Sequence, residues 1–278
     1  MSEAEKRNSL RFYQGDTEHY EVEEGAGFNW PFYEIKRAYN ILNVLMYPGM
    51  GSEYARFSKE AKKTPYHLLD YLDEIIKVYN DIFSLMCKNM KSSGEKIHLY
   101  RAERMQAMEM IEAGHTYSFT SCSLVATPEE YLTKKDGILL LELDMPLSIP
   151  HVSVNSVLGE NKFAYQEEIL LPPFVSFIEA TKKKLTEDEL RYRDIKGESP
   201  KTKYSLTVSD NWKYSEKTSV DLVELKDGCE QVKKVLKRVK EEETVSSEEE
   251  EFYCCWKTKF QTLIKIMFDE IYRKNSQL

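Results

Sequence analysis

The sequence predicts an α+β chain, helical at both ends with strands between. Three observations carry this. Apolar residues recur at three- and four-residue steps across 32–47, 64–90 and much of 216–278, the spacing of amphipathic helices. Between about 96 and 208 they fall instead into short alternating or continuous runs bounded by Gly, Pro and Ser, as strands do. These runs follow one another through short connections with only small helices between them. That order suits an antiparallel or mixed sheet and not a doubly wound one.

Taken in order, residues 1–28 are polar and acidic and read as an arm. The first helix, 32–47, carries Phe32, Ile35, Tyr39, Leu42 and Met46 on one stripe and stops at Pro48-Gly49-Met50-Gly51. No strand precedes this glycine cluster and no GKS/T ending follows it, so it is not a phosphate loop. A shorter helix is expected over 52–61. Thr64-Pro65 starts the next helix, with proline at the first helical position. Leu68, Leu72, Ile75, Tyr79, Ile82 and Met86 continue it to about residue 90.

The pattern then changes. Residues 96–101 alternate as a strand, 103–113 read as a helix ended by Gly114, and 115–124 read as strand. Thr127-Pro128-Glu129-Glu130 is a capping box that opens a short helix. Residues 138–143 are a buried strand, 150–163 a loop, and 168–171, 175–181 and 204–208 further strands. Two helices close the sequence. One carries Leu222, Leu225, Cys229, Val232, Leu236 and Val239; the other carries Phe252, Trp256, Phe260, Leu263, Met267 and Ile271. Glu248 to Glu251 stand in the first turn of the latter, where acids suit the helix dipole.

Charge and composition exclude several classes. The net charge is −8, which gives no reason to expect nucleic acid or an acidic membrane surface as partner. No run approaches the roughly 18–20 apolar residues that span a bilayer, and the first residues hold no apolar core of a secretory signal. The five cysteines are odd in number, and Cys254-Cys255 is too close for an ordinary bridge. They read as reduced thiols. The five histidines are scattered without ligand spacing, so no metal is expected. The chain reads as soluble, either cytoplasmic or exported without a standard signal.

Three strand-borne motifs stand in order. The first is Leu99-Tyr100-Arg101-Ala102, an aromatic and an arginine at a strand end. The second is Phe119-Thr120-Ser121-Cys122-Ser123. The third is Gln166-Glu167-Glu168, followed by the apolar run Ile169-Leu170-Leu171 and by Pro172-Pro173. Together they resemble the R-S-E class of mono-ADP-ribosyltransferases, marked by a strand-one arginine, a Phe-x-Ser-Thr-Ser strand and an E/Q-x-E element before an apolar strand. The resemblance covers about residues 30–210. It implies a core of two small packed antiparallel or mixed sheets, preceded by N-terminal helices, and NAD as a substrate with no metal.

It also implies roles. Breaking the bond between ribose and nicotinamide passes through an oxocarbenium-like state, as in glycoside hydrolysis. Glu168 falls where the family places the carboxylate that stabilises it. Arg101 matches the arginine that forks onto the pyrophosphate. Ser121 matches the serine that orients the glutamate and lines the nicotinamide pocket. Ala102 falls where the backbone meets the nicotinamide amide, and Lys134 and Lys135 lie where a loop reaches the phosphates.

Two departures are informative. Cys122 replaces the threonine of the serine motif and should face away from Ser121 and Ser123. Gln166 stands where arginine-modifying members carry glutamate. Glutamine cannot act as a base but can hydrogen-bond an amide, and Q-x-E members such as the Rho-modifying clostridial exoenzymes modify asparagine. The implied acceptor is therefore an asparagine or glutamine of a protein substrate, less so an arginine. Phe163 and Tyr165, in the loop before the motif, are candidates for contacting it. Glu167 should point to the other face.

Two alternatives stay open: NAD hydrolysis by the same fold, and a non-catalytic relative that binds partners. The expected organisation is an arm over 1–28, a catalytic domain over 29–215 (helices to about 94, strands over 95–215) and a helical extension over 216–278. The extension is available to a partner.

Overall fold

The computed structural model of the chain describes residues 2–16, 38–48, 66–91, 94–104, 108–125, 138–159, 167–187, 202–216 and 219–276. The chain divides into two compact units. One joins Met1–Leu85 with Tyr214–Leu278, and the other is Met86–Lys213. The helices from the two ends of the chain fall in one unit, and the expected boundary at 28 lies outside the described residues.

The helical unit begins with α1, Glu3–Gln14, where the sequence had suggested only a polar arm. Its ends are specified locally. Ser2 Oγ accepts from the Glu5 amide at 3.2 Å, while Glu5 accepts from the Ser2 amide at 2.9 Å, a capping box. Gly15, at φ +72°, ends the helix. Leu10 and Phe12 are fully buried. These few apolar residues are outnumbered by charged neighbours, which hid the helix from the hydropathy pattern. Buried Ser9 donates to the buried carboxylate of Asp81 at 2.7 Å.

Next come α2, Ala38–Met46, and a 3₁₀ turn, Tyr66–Tyr71, that leads into α3, Leu72–Lys88. The expected starts at 32 and 64 and the short helix over 52–61 lie outside the described residues. After the sheet unit the chain returns as α6, Leu222–Lys240, and α7, Ser247–Ser276. Asp221 caps α6 by accepting from the Val223 amide at 2.8 Å. The expected stripe of α7 is rotated. Tyr253, Trp256, Phe260, Ile264 and Phe268 are buried, whereas Phe252, Leu263, Met267 and Ile271 are half-buried. The helix meets neighbours on more than one side, so its buried arc is wider than a single stripe. Phe268 stacks on Phe83 with centroids 3.9 Å apart, and Phe260 meets Tyr79 edge-on at 5.7 Å. Trp256 donates its indole N–H to the Leu225 carbonyl at 2.7 Å, which pins α7 to α6.

The sheet unit contains β1, Lys96–Arg104; α4, Met108–Ala113; β2, Thr120–Ser123; β3, Ile138–Pro146; β4, Val152–Ser153; α5, Val154–Leu158; β5, Glu168–Leu171; β6, Phe177–Lys184; and β7, Thr202–Val208. Seven strands form one hydrogen-bonded sheet in the order β4-β5-β2-β1-β3-β7-β6. Every pairing is antiparallel except β3 with β7. The sheet is nearly two: β1 and β2 share the single register pair Tyr100–Ser123, whereas β1 and β3 are paired along nine residues. The implied pair of small sheets thus corresponds to a three-strand and a four-strand block joined at one point.

Several local expectations change. The strand expected over 115–124 is confined to β2; before it, only His115 forms a bridge, to Ser176. Here the backbone serves the turn after β5 instead. The helix expected over 103–113 starts at Met108, because pairing with β3 extends β1 to Arg104. The loop expected over 150–163 contains β4 and the one-turn α5, with Ser153 as its cap. Leu140, Leu141 and Leu143 are all buried, so β3 is covered on both faces, which explains its unbroken apolar run.

Candidate active site

The site is built on β5 and the two strands beside it in the sheet. Glu168 opens β5 and is only 4% exposed. Its register partner on β2 is Ser123, followed along the ladder by Cys122–Ile169, Ser121–Leu170 and Thr120–Leu171. Directly opposed residues share a face, so Glu168 and Ser123 stand side by side, with Ser121 on that same face one step along. Cys122 lies on the other face and is buried opposite Ile169, as the alternation requires. Ser123 is in turn the partner of Tyr100. One row therefore runs Tyr100–Ser123–Glu168 across three strands, with adjacent strands about 4.8 Å apart.

Arg101 follows Tyr100 on β1 and is half-buried. Its Nη1 donates to the backbone carbonyl of Ser121. This bond spans the junction between the two blocks and brings the arginine to the serine motif. Ala102 follows, half-buried in the β1–β3 ladder opposite Leu140. Glu142, the β3 partner of Tyr100, pairs with Lys203 at 2.8 Å. The row thus continues into the larger block through an ion pair largely sheltered from solvent.

Both ends of β5 are held in left-handed backbone. Glu167 has φ +45° and Phe174 φ +71°, conformations that cost a non-glycine residue roughly 1 kcal/mol or more. Thr116 fixes the far end. Its hydroxyl donates to the Pro172 carbonyl at 2.8 Å and accepts from the Val175 amide at 2.9 Å. Its amide donates to the Val175 carbonyl at 2.9 Å, and its carbonyl accepts from the Phe174 amide at 2.8 Å. At the near end the Leu124 amide donates to the Glu167 carbonyl at 3.3 Å, and Ser123 Oγ accepts from the Val125 amide at 2.9 Å. Glu168 thus opens its strand directly after the left-handed Glu167.

The structure places the Arg101 side chain on the Ser121 backbone and Glu168 beside Ser123, and it exposes Glu167. Lys134, Lys135, Phe163, Tyr165 and Gln166 lie outside the described residues. Sequence reasoning missed two supporting residues. Ser123, not Ser121, is the direct neighbour of Glu168; only the register reveals this. Thr116 carries no motif, and its role depends on a segment almost sixty residues away. Elsewhere in this unit burial raises the Cys87 thiol to about 12, leaving it protonated and unreactive at neutral pH. Burial also lowers the His151 imidazole below its usual range, against a hydrogen bond to the Ile149 carbonyl. Among the described residues no cluster of His, Cys, Asp or Glu could hold a metal ion, and no helix is long and apolar enough to cross a membrane.

A guanidinium presents a planar fork of donors that suits phosphate oxygens. A sheltered carboxylate on a neighbouring strand suits a hydroxyl donor or a developing positive charge. No family model matches the chain, and no curated protein matches it. Among solved structures it is similar to the enzymatic component C2-I of the C2-toxin from Clostridium botulinum at pH 3.0, with a TM-score of 0.34 and 15% identity over 57% of this chain. The match spans about two fifths of that toxin component, 41%. It is also similar to C3stau2 from S. aureus with NAD, with a TM-score of 0.36 and 13% identity over 62% of this chain and 92% of the other. The C3 exoenzyme of Clostridium limosum matches over the same shares, with a TM-score of 0.34 and 12% identity. The class that the described residues define is an α+β protein with a mixed seven-stranded sheet.

Proposed function

We propose that the chain is an NAD-dependent mono-ADP-ribosyltransferase that moves one ADP-ribose from NAD to an asparagine or glutamine side chain of a protein. The observation that supports this reading is the junction of β1, β2 and β5, where Arg101 binds the Ser121 backbone and Glu168 lies one strand away beside Ser123.

In this reading Arg101 forks onto the pyrophosphate, the Ala102 backbone and Ser121 receive the nicotinamide end, and Glu168 holds a ribose hydroxyl. Lys135 adds a charge for the phosphates. Gln166 orients the acceptor amide, with Phe163 and Tyr165 against the acceptor protein. The bond from the anomeric carbon to nicotinamide breaks with its electron pair going to nitrogen, which neutralises the pyridinium. The acceptor's lone pair forms the new bond to that carbon, and the acceptor's proton is released. Glu168 stabilises the positive charge that builds on the ribose between the two events.

The test is incubation with labelled NAD and cell lysate, comparing the wild type with Glu168→Ala. The reading expects labelled protein and free nicotinamide from the wild type alone. Equal labelling by both proteins would sink it. Gln166→Glu probes the acceptor, and an unchanged set of labelled side chains would count against the amide preference.

A further inference from the structure

Two exposed apolar side chains stand at the edge of this site. Leu124 is 42% exposed and Val125 41%. A single exposed apolar residue is ordinary, but these two are adjacent and follow Ser123 directly. Their backbones are fixed. The Leu124 amide donates to the Glu167 carbonyl, and the Val125 amide to the Ser123 hydroxyl. Glu167, also exposed, is held at φ +45° beside them. Strain of this kind clusters at binding sites. Leu124, Val125 and Glu167 thus make an exposed rim, apolar with one acid, one residue from Glu168.

We infer that this rim is the docking surface for the protein acceptor, which meets it with an apolar side chain flanked by a basic one. The inference rests on the transfer reading proposed above and assigns the acceptor a surface chemistry. Water as acceptor needs no apolar rest. A protein that must place one side chain over Glu168 covers the surrounding surface, and the complement of an apolar pair with an acid is an apolar group with a base.

The experiment uses the full chain and two assays. One measures label transferred from NAD to lysate protein. The other measures nicotinamide released with water as the sole acceptor. The variants are the double change Leu124→Ser with Val125→Ser and, separately, Glu167→Lys, which keeps an unbranched side chain at the same φ. Each is expected to lower transfer at least tenfold while nicotinamide release stays within twofold of wild type. Leu124→Met with Val125→Ile is expected to keep transfer. Equal losses in both assays would put the rim against NAD and overturn the inference, as would transfer that both variants leave unchanged. A wild type that releases nicotinamide but labels nothing would remove the acceptor and the rim together. A wild type that does neither would remove the transfer reading itself.

Discussion

Glu168 and Ser123 are register partners on adjacent antiparallel strands, and Glu168 is almost fully shielded from solvent. A carboxylate at the start of a buried strand needs such a polar neighbour, because an uncompensated buried charge is costly. Replacing Glu168 with alanine should lower nicotinamide release by about two to three orders of magnitude. Ser123→Ala removes the acceptor of the Val125 amide and should destabilise by about 1 kcal/mol, read from denaturant unfolding. Its effect on nicotinamide release should exceed that of Ser121→Ala, which acts one step further along the strand. The reverse order would assign the orienting role to Ser121.

Arg101→Lys keeps the charge but loses the fork. A lysine can reach the Ser121 carbonyl or a phosphate as a point charge, without the bidentate geometry. The KM for NAD should rise about tenfold while global stability changes little. An unchanged KM would remove Arg101 from the phosphate site.

The left-handed backbone of Glu167 offers a test of strain. At φ +45° a glycine relieves the steric cost, although it adds freedom to the unfolded chain. Glu167→Gly should therefore leave stability within about 1 kcal/mol of wild type, whereas the β-branched Glu167→Val should lose about 1–3 kcal/mol. Equal midpoints in urea would mean that residue 167 relaxes out of the left-handed region.

In the helical unit Gly228 of α6 lies directly against Trp256 of α7. A Cβ there would lie 2.6 Å from Trp256 Cδ1 and 3.4 Å from the Phe252 ring. The indole cannot swing away without breaking its bond to the Leu225 carbonyl. Gly228→Ala gains helix propensity but forces these helices apart, and overpacking costs about 1–3 kcal/mol. A net loss in thermal stability is expected; a more stable variant would show that the indole yields.

Lys257 is 1% exposed, its Nζ has no hydrogen-bond partner and it lies 4.8 Å from the Tyr253 ring centroid. Burial lowers its ammonium to about 8, and burial does the same to Lys265 despite its ion pair with Asp269. Above pH 8 the folded chain releases these protons while the unfolded chain keeps them. The unfolded state then binds more protons, and stability rises with pH. From about pH 8.5, where an unfolded thiol titrates, the buried Cys87 and Cys229 thiols act in the opposite sense, because they stay protonated when folded, with values near 12 and 11. Between pH 8 and 9 each lysine should add on the order of 1 kcal/mol to the unfolding free energy, partly offset by the thiols. Lys257→Met should be more stable at pH 7 and show a flatter rise. A stability that falls over that unit of pH would contradict the buried, unpaired state of this lysine.

Much of the fold was legible because it follows from local rules. The strand over 168–171 is bounded by polar residues and two prolines, and the structure places it over the same four residues. Gly114 was expected to end a helix and does so at φ +72°. The helix of α6 follows its apolar stripe, since Leu225, Cys229, Val232 and Leu236 are all buried. What failed was whatever depended on a distant partner. The segment 115–119 has strand composition, but its backbone groups are used by Thr116 to clamp the 172–175 turn. In α1 buried Asn8, Ser9 and Arg11 are polar, so the apolar residues among the buried ones did not stand out from its charges.

For the candidate site, the sequence by itself determined which side chains are present, their order, and the strand start that carries Glu168, whereas Arg101, expected at a strand end, stands inside β1 because pairing with β3 runs on to Arg104. Composition, periodicity and turn residues act over a few positions, so these could be read directly. The tertiary structure alone decided that Ser123 stands beside Glu168, that Arg101 reaches the Ser121 carbonyl, and that the helices at both chain ends form one unit. Register and packing join residues tens to hundreds of positions apart. Their choice is made by the burial and hydrogen bonding of whole strands and helices, which no short window of sequence contains.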